Sequence, residues 1–312
     1  MWVAVSNEAM AQNSLVPVSG RSGSDIIPAD VLARVNLVEA HLDAIRHYLG
    51  RPPAPNPAIV VHDASPREVF FAASNLRRRL ASFELERLRQ ATPWREPPPQ
   101  NVSSADVLKQ VNRALTVVLR IRGALNIQTA VEEQPESDDV TPSQVMNQLI
   151  QVGGLVNNLL DTPATLGIIY TGITHATLIG LELHRVLTSK LMPDTPAWEP
   201  ALTNEDAMKH LIACYELLRS VYTKLKMPLA EVRLVDDLPR YISADDLSNL
   251  VALMIAEMVH LSSRVPGTER APDPYPVGPK IPSDLVQRLR LLESILTDVT
   301  RSPSLTSKGI TQ

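Results

Sequence analysis

The chain has 312 residues, a formal net charge of −4 at pH 7, 44% hydrophobic residues and 4% aromatics. That length and apolar content suffice for a large core in one or two domains. Near-neutral charge and scarce aromatics supply neither the phosphate-attracting field nor the stacking rings of a nucleic-acid binder, and a lone cysteine, Cys214, rules out an intramolecular disulfide.

Residues 1–24 read as a flexible leader. Ala9-Met10-Ala11 before Gln12 matches the small-x-small end of a secretory signal peptide, so the leader is read as the remnant of one, although Trp2 to Val5 is too short for an apolar h-region. With Pro-rich connections and almost no cysteine, this points to a periplasmic or secreted protein, the cytoplasm being the alternative. No uninterrupted apolar run approaches the eighteen residues of a membrane span.

From Ile27 onward one helix-start signature recurs eight times. The copies are Ile27-Pro28-Ala29-Asp30-Val31, Ser65-Pro66-Arg67-Glu68-Val69, Ser103-Ser104-Ala105-Asp106-Val107, Thr141-Pro142-Ser143-Gln144-Val145, Thr162-Pro163-Ala164-Thr165-Leu166, Thr203-Asn204-Glu205-Asp206-Ala207, Ser243-Ala244-Asp245-Asp246-Leu247 and Ile281-Pro282-Ser283-Asp284-Leu285. In six of them a Ser or Thr hydroxyl can cap the free amides of a first turn, and Pro at the next position loses only an N–H that would be unpaired anyway. An acid or Gln three residues on completes a capping box, Thr165 being the exception.

After each start the apolar residues step by four and three. The first helix has Val31, Val35, Val38, Leu42, Ile45 and Leu49; the second follows more loosely with Val69, Ala73, Leu76, Leu80 and Phe83. The third has Val107, Val111, Ala114, Val118, Ile121 and Leu125, and the fourth Val145, Leu149, Val152, Val156 and Leu159. The sixth has Ala207, Leu211, Cys214, Leu218, Val221 and Leu225. The seventh has Leu247, Val251, Met254, Met258 and Leu261, and the eighth Leu285, Leu289, Leu292, Leu296 and Val299. This is the seam of bundled helices. Ala58 to Val61 is at most one short extended piece, and nothing alternates long enough to argue a sheet.

The starts are spaced 38, 38, 38, 21, 41, 40 and 38 residues apart. The short step separates two sets of four whose ordered offsets are 135, 138, 140 and 140, as duplication of a four-helix unit would leave. The expectation is an all-α protein of two tandem four-helix units, residues 27–160 and 162–301, with a flexible tail over 302–312. Connections over 51–64, 128–140 and 266–280 are much longer than ordinary bundle loops. Such linkers are long enough to run back along a helix and allow parallel neighbours, though up-and-down packing is the default. The connection carrying Glu132, Glu133, Glu136, Asp138 and Asp139 lacks the ligand order and Gly of a calcium loop and reads as solvated.

No catalytic motif is present: no phosphate-cradling Gly loop, no nucleophile elbow and no zinc-protease helix. The reading is therefore of a protein that is not an enzyme and holds no cofactor or metal. One Glu-x-x-His occurs, Glu257-Met258-Val259-His260, flanking the seam and read as a surface pair. Two features carry functional readings. Five of twelve glycines lie between Gly153 and Gly180, and the fifth helix mixes them with polar residues. Either the bundles cross closely there, with Thr hydroxyls bonding back to the preceding turn, or Asn157, Tyr170, Thr174 and His175 line a pocket for a small polar or anionic ligand. Between Ser65 and Arg122 there are eleven Arg or Lys against five acids. Their arginines, Arg77, Arg78, Arg87 and Arg120 among them, form either a solvated face or the contact for an anionic protein partner. The leading functional expectation is a non-enzymatic binding or scaffolding protein; the alternative is a bundle that senses a small polar or anionic molecule near the fourth and fifth helices.

Overall fold

The computed structural model describes residues 26–90, 101–132, 137–188, 190–235 and 241–307, so the leader expected over 1–24 lies outside the described residues. The protein is all-α apart from one small sheet. In chain order the elements are α1 (Pro28–Tyr48), β1 (Ile59–His62), α2 (Pro66–Leu88), α3 (Ser104–Ala124), α4 (Pro142–Leu159), α5 (Leu166–Leu187), α6 (Asn204–Lys224), β2 (Glu231–Leu234), α7 (Ala244–Arg264), α8 (Pro282–Arg301) and α9 (Ser304–Ser307).

The start signatures work as their chemistry requires. Ser103, Thr141, Thr203 and Ser243 each accept from the N3 backbone amide, while the N3 side chain accepts from the cap amide. At Ile27 and Ile281 only the second half of the box exists, Asp30 and Asp284 accepting from the cap N–H at 3.0 and 3.2 Å. One start is corrected. The cap of α5 is Thr165, whose hydroxyl accepts from Ile168, and Thr162 instead donates to the Glu86 carboxylate. Thr165 to Thr203 is 38 residues, the same step as between the first four caps.

Three helices share an end that the apolar pattern had absorbed into the seam. At Leu49, Leu125 and Leu225 the chain turns through a left-handed residue, Gly50, Asn126 or Lys226, with φ of 64°, 56° and 56°. The following amides, of Arg51, Ile127 and Met227, donate back to the carbonyls of Arg46, Arg122 and Tyr222. This is a Schellman closure, and it leaves the three leucines half-buried while every other residue of the six regular seams is buried.

The chain divides into two compact units, Met1–Asn56 with Pro66–Pro163 and Pro57–Ser65 with Ala164–Gln312. In unit 1, α1 and α2 each pack on α3 and on α4; in unit 2, α5 and α6 each pack on α7 and on α8. The first two helices of each unit therefore sit diagonally across the bundle from each other, as do the last two, while the middle neighbours, α2 with α3 and α6 with α7, pack together. All four helices of a unit run the same way, against the up-and-down default. In unit 1 the C-terminal ends meet: Arg51 past α1 and Arg87 in the last turn of α2 both reach Asp161 past α4, at 2.7 and 2.9 Å. Glu84 and Arg120 pair at 2.7 Å late in α2 and α3. In unit 2 the starts meet, Leu202 N–H on Ser283 Oγ at 3.2 Å and Asn204 Nδ2 on the Ile242 carbonyl at 2.9 Å. So do the ends, with Lys224 Nζ on the Thr300 carbonyl at 2.5 Å.

Parallel packing explains the connections. A helix of about 20 residues is ~30 Å long, and the six connections inside the units have 15–19 residues, enough to return that distance extended. Aligning four helices also aligns their dipoles. Acids at the N3 positions (Asp30, Asp106, Asp206, Asp246, Asp284) and bases in last turns (Arg46, Arg87, Arg122, Lys224, Arg264, Arg301) offset the poles so concentrated.

Residues 57–65, in the α1–α2 connection, belong to unit 2. There β1 pairs antiparallel with β2, in the register Ile59↔Leu234 to His62↔Glu231. Ile59, Val61 and Val232 face the core, and Asp246, while capping α7, also accepts from the Ala58 amide at 2.8 Å. The expected absence of a sheet is thus corrected to one two-stranded ribbon.

The glycines of α5 have packing reasons inside unit 2. A Cβ on Gly172 would come within 2.7 Å of Val251 Cγ1 on α7, and one on Gly180 within 3.1 Å of Leu292 on α8. Thr171 and Thr177 hydroxyls bond back to the Gly167 and Ile173 carbonyls at 2.9 and 2.8 Å. Among the described residues α5 is the one helix long and apolar enough to cross a membrane, with mean hydropathy 1.3, and much of it is buried in unit 2. Near the C-terminus, 304–307 form α9 with Leu305 buried, so order extends into the expected tail.

Candidate functional site

The arginines singled out in the sequence lie in unit 1 and are largely engaged within it. Arg77 is buried and donates to Gln110 Oε1 at 2.6 Å. Its neighbour Arg79, also buried, donates to the Gly153 carbonyl at 3.0 Å. Arg87 bonds Asp161 and lies 5.5 Å from the Phe83 ring centroid, and Arg120 pairs with the buried Glu84. Arg78 and Arg120 are the exposed members of the set, and Arg78 bonds Asn75 at 2.5 Å. In unit 1 an open apolar groove of about 420 Å³ runs along α3 past Leu108, Asn112 and Thr116, and none of these five arginines lines it. Of the acidic connection, Glu133 and Glu136 fall outside the described residues, and Asp138 and Asp139 are exposed.

The four residues read as a pocket belong to two units. Asn157 is on α4 of unit 1; Tyr170, Thr174 and His175 are on α5 of unit 2. His175 turns towards the α7–α8 connection. Burial lowers its pKa, Asp273 opposes that shift, and Arg270 adds to it. Tyr170 and Thr174, one turn apart, share a face. The Thr174 hydroxyl oxygen is buried without a hydrogen-bond partner among the described residues.

Tyr170 is met by two bases that the sequence alone did not single out. Arg288 Nη2, in the second turn of α8, donates to its hydroxyl at 2.8 Å, and the guanidinium carbon lies 5.4 Å from the ring centroid. Lys280, just before α8, places Nζ 4.7 Å from the same centroid. All three side chains are half-buried. Local geometry fixes this approach: a Cβ on Gly167 would lie 2.8 Å from the Gly278 carbonyl oxygen, so only glycine lets the connection lie against the first turn of α5. Lys280 and Arg288 went unnoticed because each is an isolated base beside the α8 seam, more than a hundred residues from Tyr170.

The Glu257–His260 pair is corrected. Glu257 is fully buried, not a surface residue, and accepts from Tyr222 Oη at 2.8 Å, which also lies 3.1 Å from His260 Nδ1. It occupies a packed α6–α7 interface, and no group of three or more metal-ligating side chains occurs among the described residues. Cys214 is a core residue: its thiol donates to the Leu289 carbonyl, and burial pushes its pKa up.

Around these groups unit 2 leaves large apolar side chains in solvent. On the α5–α6 connection Leu191 is 92% exposed, with Met192 and Trp198 also out; on the α7–α8 connection Tyr275 is 90% exposed, with Val277 and Ile281 beside it. Both connections are extended, and the first is tied along α8 by Gln287 to the Pro196 carbonyl and Arg290 to Glu199. No family model matches the chain, and no curated protein or solved structure does so either.

Proposed function

We propose that this is a non-enzymatic binding and scaffolding protein of two four-helix units, duplicated from one, that works outside the cytoplasm and meets a protein partner through unit 2. The observation that carries the reading is the row of solvent-exposed apolar side chains on its Pro-rich connections, Leu191 and Tyr275 foremost. Exposed apolar surface on pre-extended segments favours association, because burial gains the transfer free energy while little backbone entropy remains to be lost. The arginine face of unit 1 is the weaker candidate, since Arg77, Arg87 and Arg120 already have partners within the unit.

The test is site-specific photo-crosslinking in the native host, with the crosslinker at Leu191, Tyr275 or Arg78. One defined protein adduct from the first two positions and none from Arg78 supports the reading. Adducts from Arg78 alone return the partner to the arginine face, and adducts from none of the three overturn a protein-scaffold function.

A further inference from the structure

We propose that unit 2 carries a binding site for a small oxyanion, formed by Lys280 and Arg288 over the ring of Tyr170. It rests on the reading of unit 2 as the binding side, and names a ligand class for it.

Two cations converge on one phenol. With Nζ and Cζ 4.7 and 5.4 Å from the same ring centroid, Lys280 and Arg288 stand within about 10 Å of each other, close enough to repel in a half-buried setting. Elsewhere in unit 2 Arg185, Lys190, Lys209, Arg219, Arg233, Arg270 and Arg290 each stand against a carboxylate, whereas Lys224, Lys226, Arg264 and Arg301 stand singly and share no ring with a second base. Lys280 and Arg288 have no carboxylate partner among the described residues. The nearest acids in sequence are committed, Asp284 to the Ile281 amide and the Trp198 indole, Glu293 to His210 and Asp273 to Arg270.

The ring attracts both cations through its face but supplies no countercharge; an oxyanion would. Arg288 gives one Nη to the Tyr170 hydroxyl, and the rest of its planar fork suits two oxygens of a carboxylate or phosphate, with Lys280 as a point charge beside it. Its frame is rigid, because the connection leading to Lys280 is pressed against Gly167. One turn further along α5 the Thr174 hydroxyl offers a polar group with no partner of its own.

The experiment is calorimetric titration of the full-length protein, at low ionic strength, with inorganic phosphate and separately with citrate. The variants are K280Q/R288Q, R288K and the remote control K209Q, each checked for an unchanged circular dichroism spectrum. The expected result is saturable binding of one equivalent. Affinity falls at least tenfold in the double variant and severalfold in R288K, which keeps the charge but loses the fork, and is unchanged in K209Q. Phosphate without citrate identifies a phosphate ligand, and the reverse a carboxylate. Absence of saturable binding by both anions in the wild type, or equal binding by K280Q/R288Q or by R288K should the double variant not fold, overturns the site. Because the titration uses purified protein, a failed crosslinking result with positive titration removes the protein-partner reading and leaves the oxyanion site standing.

Discussion

Arg122, in the last turn of α3, donates to Nδ1 of His41 in α1, and both side chains are buried. A nitrogen that accepts cannot also carry the second proton of an imidazolium, so the bond selects neutral histidine. Burial, reinforced by the Arg122 charge, lowers the His41 pKa to about 4. Between pH 6.5 and 4 the unfolded chain therefore binds a proton that the folded chain refuses. The stabilisation is complete above pH 6.5 and is lost as the pH falls to 4, on the order of 3 kcal/mol across the window. Thermal melts of H41Q should have a flatter pH profile between these limits than wild type; an unchanged slope would show that His41 does not titrate as described.

Tyr222→Phe removes the donor to a carboxylate with no exposed surface. The expected cost is ~1–3 kcal/mol, the range for leaving a buried acceptor short of a bond. Urea unfolding of Y222F, E257Q and the double variant would measure the pair, and purely additive losses would mean that the 2.8 Å bond contributes nothing.

Glycine substitutions separate crowding from conformation. Gly167→Ala drives a methyl into the Gly278 carbonyl and should destabilise by ~1–3 kcal/mol. Gly123→Ala meets no atom within 4 Å and should stabilise by up to ~1 kcal/mol through helix propensity. A melting shift of the same sign in both variants would refute the close approach at Gly167.

The Schellman ends offer a converse pair. Gly50→Ala also meets nothing within 4 Å, yet its φ of 64° is unfavourable for a residue with a Cβ, so a loss of about 1 kcal/mol is expected. Lys226→Gly releases the same strain at φ 56° and should be neutral or stabilising by under ~1 kcal/mol. A stabilised G50A would mean that this turn is not left-handed.

The helices were readable because each rests on local chemistry. A cap and an acid three residues later lie within one turn, and a seam such as Val107 to Ile121 repeats within one helix. Direction was not readable, since Arg51, Arg87 and Asp161 come together only when helices far apart in sequence lie parallel. The ribbon was missed for the same reason: four residues at β1 look like loop until Val232 and its neighbours pair with them from about 170 residues away. Tyr170 stood out by its setting among glycines, whereas Lys280 and Arg288 have ordinary neighbours and acquire meaning only from the ring between them.

The lodging of β1 in unit 2 has a consequence for synthesis. Residues 59–62 leave the ribosome about 170 residues before 231–234, which at 5–20 residues per second is a delay of ~8–34 s. Throughout that interval Ile59 and Val61 belong to a strand whose mate has not been made, while α2, α3 and α4 emerge during the wait. The nascent chain must hold this segment aside, and the four prolines at 52, 53, 55 and 57 that precede it supply backbone with fewer amides to pair wrongly in the meantime.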